Sequence, residues 1–262
     1  MSTNTTYFRF PGGKLSLNHE SVQMLAEDLK SPTANLHLIC QMLAEGTKDD
    51  FGLLIQGSAR LGIKTEIGHR LDNCVRRLCG GRVVQNLITG GGPGLMEVSN
   101  RAAKEVGTLS WGVGITLRGE QEMTHFEFQD RHINAGSLEP RLLVMGSLTD
   151  AVIFARPGIG TMYELMWWLQ RCQFSENAFN NPYPWNPRVS IGFEMRPRLV
   201  CVGSSYDHVM RMLDQMANSY GTIKSEDRTL LNVVKTYEEA GDLIRQHRIK
   251  WDARRSQRSL SA

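Results

Sequence analysis

From residue 51 onward, short apolar runs alternate with longer amphipathic stretches, and each run ends in glycine or a polar turn. Phe51–Gln56 leads into Gly57-Ser58, and Val83–Ile88 leads into Thr89-Gly90-Gly91-Gly92-Pro93-Gly94. Trp111–Leu117, Asp150–Ala155 and Leu199–Val202 follow the same rule. Such runs suit strands buried on both faces and are too short for buried helices. Between them, Ile67, Leu71, Val75 and Leu78 recur at helical spacing, as do Met162, Leu165, Met166 and Leu169. Segments 95–106 and 139–149 read as further helices. The alternation predicts an α/β fold, a Rossmann-like doubly wound parallel sheet with helices on both faces.

Ahead of the sheet, Val22, Leu25, Ala26 and Leu29, then Leu36, Ile39, Met42 and Leu43, predict two N-terminal helices over 16–45. Behind it, Val209, Met210, Leu213 and Met216 predict another helix, and 225–247 reads as two more. Segment 174–198 has four prolines (Pro182, Pro184, Pro187, Pro197) and no period, which suggests an excursion or an oligomer contact ahead of a lid. The expected organisation is an N-terminal helical extension over 1–48, one α/β nucleotide-binding domain over 49–247, and a basic, disordered tail over 248–262.

Composition narrows the partners. A net charge of +3 is too small to imply nucleic-acid binding, and much of the excess sits between Arg245 and Arg258. The five cysteines form no C-x-x-C pair and stand at no metal-ligand spacing, so neither a disulfide framework nor a zinc site is expected. Cys74, Cys172 and Cys201 lie among apolar residues and read as core. No apolar stretch reaches the ~18 residues of a membrane span, and Met1–Arg9 lacks the layout of a signal peptide, so the expectation is cytoplasmic.

Candidate chemistry sits in the turns, because ligands of open α/β sheets bind at the carboxyl ends of the strands. Gly57 to Thr65 nearly spells a phosphate-binding P-loop, but one extra residue precedes Lys64, which excludes that reading. Thr89–Gly94 opens a helix at Leu95, and its glycines allow close backbone approach while the helix start attracts an anion. Leu95 falls where a dinucleotide fingerprint needs its last glycine, which leaves a dehydrogenase a weak alternative. The turn Arg156-Pro157-Gly158-Ile159-Gly160-Thr161 makes a second anion cradle, with Glu164 one turn into the helix that follows.

Together, Gly90-Gly91-Gly92-Pro93-Gly94-Leu95-Met96-Glu97 with Asn100-Arg101, and Gly158-Ile159-Gly160-Thr161-Met162-Tyr163-Glu164, resemble the LOG ("lonely guy") family. These are nucleoside 5′-monophosphate phosphoribohydrolases, formerly labelled lysine decarboxylases. The resemblance runs over about residues 50–245, with Leu117-Arg118-Gly119-Glu120-Gln121 and Tyr206-Asp207 similar to further family segments. It implies hydrolysis of an N-glycosidic bond, with Glu164 and Arg141 catalytic. Arg141 matches the family arginine by standing nine positions before Asp150, although Leu142 and Glu139 replace its usual lysine and histidine neighbours. Gly158, Gly160 and Thr161 would hold the phosphate, with Ser58, Gly91 and Gly92 on the opposite wall. Arg156 and Pro157 stand where the family has proline and glycine; Arg156 would offset the N–H donor that Pro157 lacks. No metal or cofactor is required, and the family's homodimers imply an oligomer, with Trp167 and Trp168 as interface or core. The reading from another class is a nucleotide-binding or regulatory protein without turnover, favoured by Arg156-Pro157 and Leu142.

Overall fold

The computed structural model of the chain describes residues 20, 22–23, 36–115, 125–174 and 196–259. Its strands are β1 (Gly52–Gln56), β2 (Asn86–Thr89), β3 (Leu109–Gly114), β4 (Arg131–Asn134), β5 (Ala151–Phe154), β6 (Arg198–Val202) and β7 (Leu231–Val234). Its helices are α1 (Leu36–Gly46), α2 (Glu66–Gly80), α3 (Leu95–Glu105), α4 (Leu138–Leu148), α5 (Ile159–Phe174), α6 (Asp207–Asn218) and α7 (Tyr237–Ser259). The seven strands form one parallel sheet in the order β4-β3-β2-β1-β5-β6-β7. The winding reverses between β1 and β5, which opens a crevice at their carboxyl ends.

Every residue of β1, β2 and β5 is buried, as expected of strands covered on both faces. Leu53, Ile55, Ala151 and Ile153 point into a core shared with α2, α3 and α7. Leu54, Val152 and Phe154 point into the other core, under α1, α4, α5 and α6. The fold is therefore the α/β, Rossmann-like sheet that the alternation predicts. Thr65 caps α2: its hydroxyl accepts the Gly68 N–H at 3.0 Å and donates to the Gly62 carbonyl at 2.7 Å. That hydroxyl satisfies an otherwise unpaired N–H at the helix start.

The structure departs from the sequence reading in three places. Two edge strands, β4 and β7, were not anticipated, because edge strands need few apolar residues. In β4 only Ile133 is buried, and in β7 only Leu231. Segment 225–247, expected as two helices, holds a 3-10 turn (Ser225–Leu230), β7 and the start of α7. The basic segment expected as a disordered tail from 248 is helical through Ser259. Trp251, fully buried, anchors it. The Arg248 and Arg255 guanidinium groups lie over its ring at 4.8 and 5.5 Å, and they donate to the Val83 and Asp49 carbonyls. Amphipathic arginines thus supply packing stems as well as charge.

The two predicted N-terminal helices are represented by α1, which buries Ile39, Cys40 and Leu43 in the α4–α5 core. The first of them lies largely outside the described residues; Glu20, Val22 and Gln23 are helical and Val22 is buried. Most of the proline-rich excursion and the Leu117–Gln121 segment also fall outside them. All five cysteines are buried, and burial pushes the thiols of Cys40, Cys74, Cys79 and Cys172 up to about 12.

His247 of α7 is buried, with Nε2 3.0 Å from the Asp150 carbonyl oxygen. Burial is the main cause that lowers its pKa from 6.5 to about 4; the Asp150 hydrogen bond opposes this, while Arg198, Lys250 and Arg254 add to it. Between those values the unfolded chain binds the proton that the native histidine refuses. This contribution is therefore complete above pH 6.5 and falls away toward pH 4, by about 3 kcal/mol in all. Urea unfolding at pH 7.5 and 4.5 is expected to show that loss in the wild type and a smaller one in His247→Gln. Equal losses in both proteins would assign the acid sensitivity elsewhere.

Candidate functional site

Three turns meet at the carboxyl ends of β1, β2 and β5. The Ser58 N–H donates to the Arg156 carbonyl at 3.0 Å, joining the β1 turn to the β5 turn. The Ser58 carbonyl accepts the Leu95 N–H at 3.1 Å, joining it to the start of α3. Gly94 makes that approach possible. Its φ is +75°, and a Cβ there would lie 2.5 Å from the Ala59 carbonyl carbon.

Glu164 projects from the second turn of α5 and is 5% exposed. Its Oε1 accepts Arg141 Nη1 at 2.6 Å. Arg141 stands in the first turn of α4, and its Nε donates to the Val113 carbonyl at the end of β3, 2.9 Å away. The guanidinium lies against Gly90: a Cβ on that residue would sit 2.0 Å from Arg141 Nη2 and 2.7 Å from Met96 Sδ. Gly90 is thus the vacant volume that lets the arginine reach the carboxylate. Burial pushes the Glu164 carboxyl above the usual range, and Arg141 pulls it back through its charge and its hydrogen bond.

A residue that the motifs did not reveal completes the cluster. Gln56, the last residue of β1, is buried. With its nitrogen facing Glu164, its amide donates to both carboxylate oxygens, to Oε1 at 3.2 Å. The opposite orientation would set the amide oxygen against a carboxylate. The only signal in the sequence was a polar residue ending a buried strand. Nearby, the Tyr206 hydroxyl donates to the Ala155 carbonyl, and burial raises its pKa far above the ordinary range, with Glu164 contributing.

At the start of α5 the Gly158 carbonyl accepts the Met162 N–H at 3.0 Å, so Gly158 stands just before the first helical turn. The N–H groups of Ile159, Gly160 and Thr161 precede the first intrahelical bond. Thr161 is buried, three residues from Glu164 and on the same helix face. A Cβ on Gly158 or Gly160 would meet nothing within 4 Å, and neither residue has a positive φ. Packing therefore does not require glycine at either position, and the space beside them is open.

The opposite wall differs. Gly91 and Gly92 are buried, and the Gly91 N–H donates to Thr89 Oγ1 at 3.0 Å. Thr89 in turn donates to Asn100 Oδ1 at 2.5 Å, so this part of the first motif holds its own turn. Ser58 is half-buried, and its hydroxyl accepts the Arg60 N–H at 3.2 Å. Arg156 is exposed, and its charge acts on the buried Tyr237 at the start of α7. The structure thus joins Glu164 to Arg141, with Thr161 buried one turn earlier on the same helix and Gly158 and Gly160 exposed at its start. Trp168 is core, while half-buried Trp167 stacks under Arg171, 4.3 Å from its ring.

Residues 77–172, which contain both glycine-rich turns, Arg141 and Glu164, match the SLOG cluster4 family model. Similar solved structures include a molybdenum cofactor binding protein from Rippkaea orientalis, 16% identical, with a TM-score of 0.49 over 75% of this chain and 96% of that one. Another is the molybdenum cofactor carrier protein of Chlamydomonas reinhardtii, 15% identical, with a TM-score of 0.49 over 76% of this chain and 98% of that one. No curated protein matches the sequence. Among the described residues, no helix is long and apolar enough to cross a membrane.

Proposed function

We propose, for a chain whose residues 77–172 carry a LOG-like domain of the SLOG cluster4 family, that the Arg141–Glu164 site hydrolyses the N-glycosidic bond of a nucleoside 5′-monophosphate. The family match supports a nucleotide-related function for this fold. The observation that carries the finer reading is the buried Glu164 carboxylate, paired with Arg141 at 2.6 Å, beside the open amino end of α5.

In this reading the phosphate sits at the start of α5, on the N–H groups of Gly160 and Thr161 beside Gly158. Arg156 supplies a further positive charge at the rim, and Ser58, Gly91 and Gly92 form the facing wall. The bond between the anomeric carbon and the base breaks with its electron pair leaving on the base nitrogen, which takes up a proton. Positive charge develops on the anomeric carbon and ring oxygen, and the Glu164 carboxylate stabilises it. Water adds to that carbon and loses a proton, giving ribose 5-phosphate and free base. Arg141 holds the carboxylate in place through a charge-assisted bond. Incubation with a panel of nucleoside 5′-monophosphates, followed by chromatography, is expected to show free base from at least one. A nucleotide that binds tightly and is recovered intact would favour the non-catalytic reading, which Pro157 supports by removing one N–H from the cradle.

Gly158→Ala separates binding from folding. Its Cβ enters open space, so the unfolding free energy should stay within about 1 kcal/mol of wild type. The same methyl group intrudes where the phosphate approaches, and nucleotide affinity should fall about tenfold, as for loss of a hydrogen bond to a charged group. Calorimetry on both proteins checks this. Unchanged affinity would remove Gly158 from the phosphate site.

A further inference from the structure

Leu54 of β1 faces the α4–α5 core, and Gln56, two residues on, faces the same side. A 2% exposed glutamine among apolar neighbours needs hydrogen-bond partners, and it finds them in the two oxygens of Glu164. We propose that Gln56 is a positioning residue for Glu164, its amide fixing the carboxylate in one rotamer and presenting it to Arg141 as an acceptor. The catalytic meaning of this contact rests on the hydrolase reading above; the contact itself does not.

Two separate elements thus supply the donors: Arg141 from α4 and Gln56 from β1. The titratable and charged groups that face Glu164 among the described residues are Arg141 and the Tyr206 hydroxyl. Tyr206 directs its proton to the Ala155 carbonyl and so offers none to Glu164. Burial favours the neutral acid, and Arg141 meets that tendency through one oxygen, Oε1. The second oxygen has the Gln56 amide as its donor. A donor to the charged form favours that form, so removing the amide should let Glu164 take up its proton at higher pH.

The test is a titration of Glu164 by carboxyl 13C NMR, with its resonance assigned by comparison with Glu164→Gln. Replacing the amide by a thioether of similar shape, in Gln56→Met, should raise the midpoint by about one pH unit. In the wild-type protein, the Gln56 side-chain amide resonances should move with the same midpoint as Glu164. That second measurement holds whether or not Gln56→Met folds. A Gln56→Met midpoint equal to wild type, or Gln56 amide signals indifferent to the Glu164 titration, would overturn the proposal. Neither measurement needs substrate, so the positioning role stands or falls apart from turnover. If base release is observed, the acid limb of its pH–rate profile should shift upward in Gln56→Met by the same amount.

Discussion

Glu164→Gln is expected to lower kcat for base release by about a thousandfold, at the upper end of the loss on removing one preorganised electrostatic group. The nucleotide dissociation constant should stay within a few-fold of wild type. Charge on the anomeric carbon develops only in the transition state, so a neutral amide forfeits stabilisation that the bound substrate never used. The substitution also leaves Arg141, with a side chain only 11% exposed, without its carboxylate. A buried cation that loses its partner costs stability, so the variant should also melt at a lower temperature than wild type. Affinity and turnover are therefore to be compared well below that transition. Turnover within a few-fold of wild type would remove Glu164 from the chemistry.

The second large effect is expected at Gly90, which touches no substrate in this account. An alanine Cβ would fall 2.0 Å from Arg141 Nη2 and 2.7 Å from Met96 Sδ, both near the ends of flexible side chains. The side chains can yield where backbone could not, so overpacking should cost about 1–3 kcal/mol without preventing folding. Arg141 then leaves its place beside Glu164, and kcat should fall about a hundredfold, in the range for a displaced positioning group. A double-mutant cycle isolates the cause. In an Arg141→Ala background, Gly90→Ala should have almost no further effect on kcat, because the group it displaces is already gone. Additive losses would mean that Gly90 acts through something other than Arg141.

The alternation of strand and helix was legible because both faces of β1, β2 and β5 are covered, which writes near-continuous apolar runs into the sequence. The edges were not legible. Arg131-His132-Ile133-Asn134 has a single buried residue, and no periodicity argument finds a strand there. Beyond 247 the charge pattern of the last helix suits a solvated tail equally well, whereas Arg248 and Arg255 pack on the buried Trp251 ring. At the site, the family resemblance singles out Glu164 and Arg141, and the structure brings them to 2.6 Å of each other. The spacing did not show that Gly90 serves Arg141 or that the Gly91 N–H is bound to Thr89 within its own turn. Both are three-dimensional facts about which atoms compete for one volume. Gln56 escaped for a related reason: a polar residue at a strand end is ordinary until a buried carboxylate is found beside it.

Product stoichiometry from a paired substrate tests whether the Arg141–Glu164 site is a phosphate-dependent hydrolase. Wild-type protein would be given one nucleoside 5′-monophosphate that it accepts and, separately, the same nucleoside without phosphate, with free base and ribose 5-phosphate both quantified over time. Equal amounts of base and ribose 5-phosphate are expected from the monophosphate and little or no base from the nucleoside, because the phosphate seats at the start of α5 in the proposed site. Comparable kcat/KM for the two substrates, or a monophosphate that binds and is returned unchanged, would contradict it.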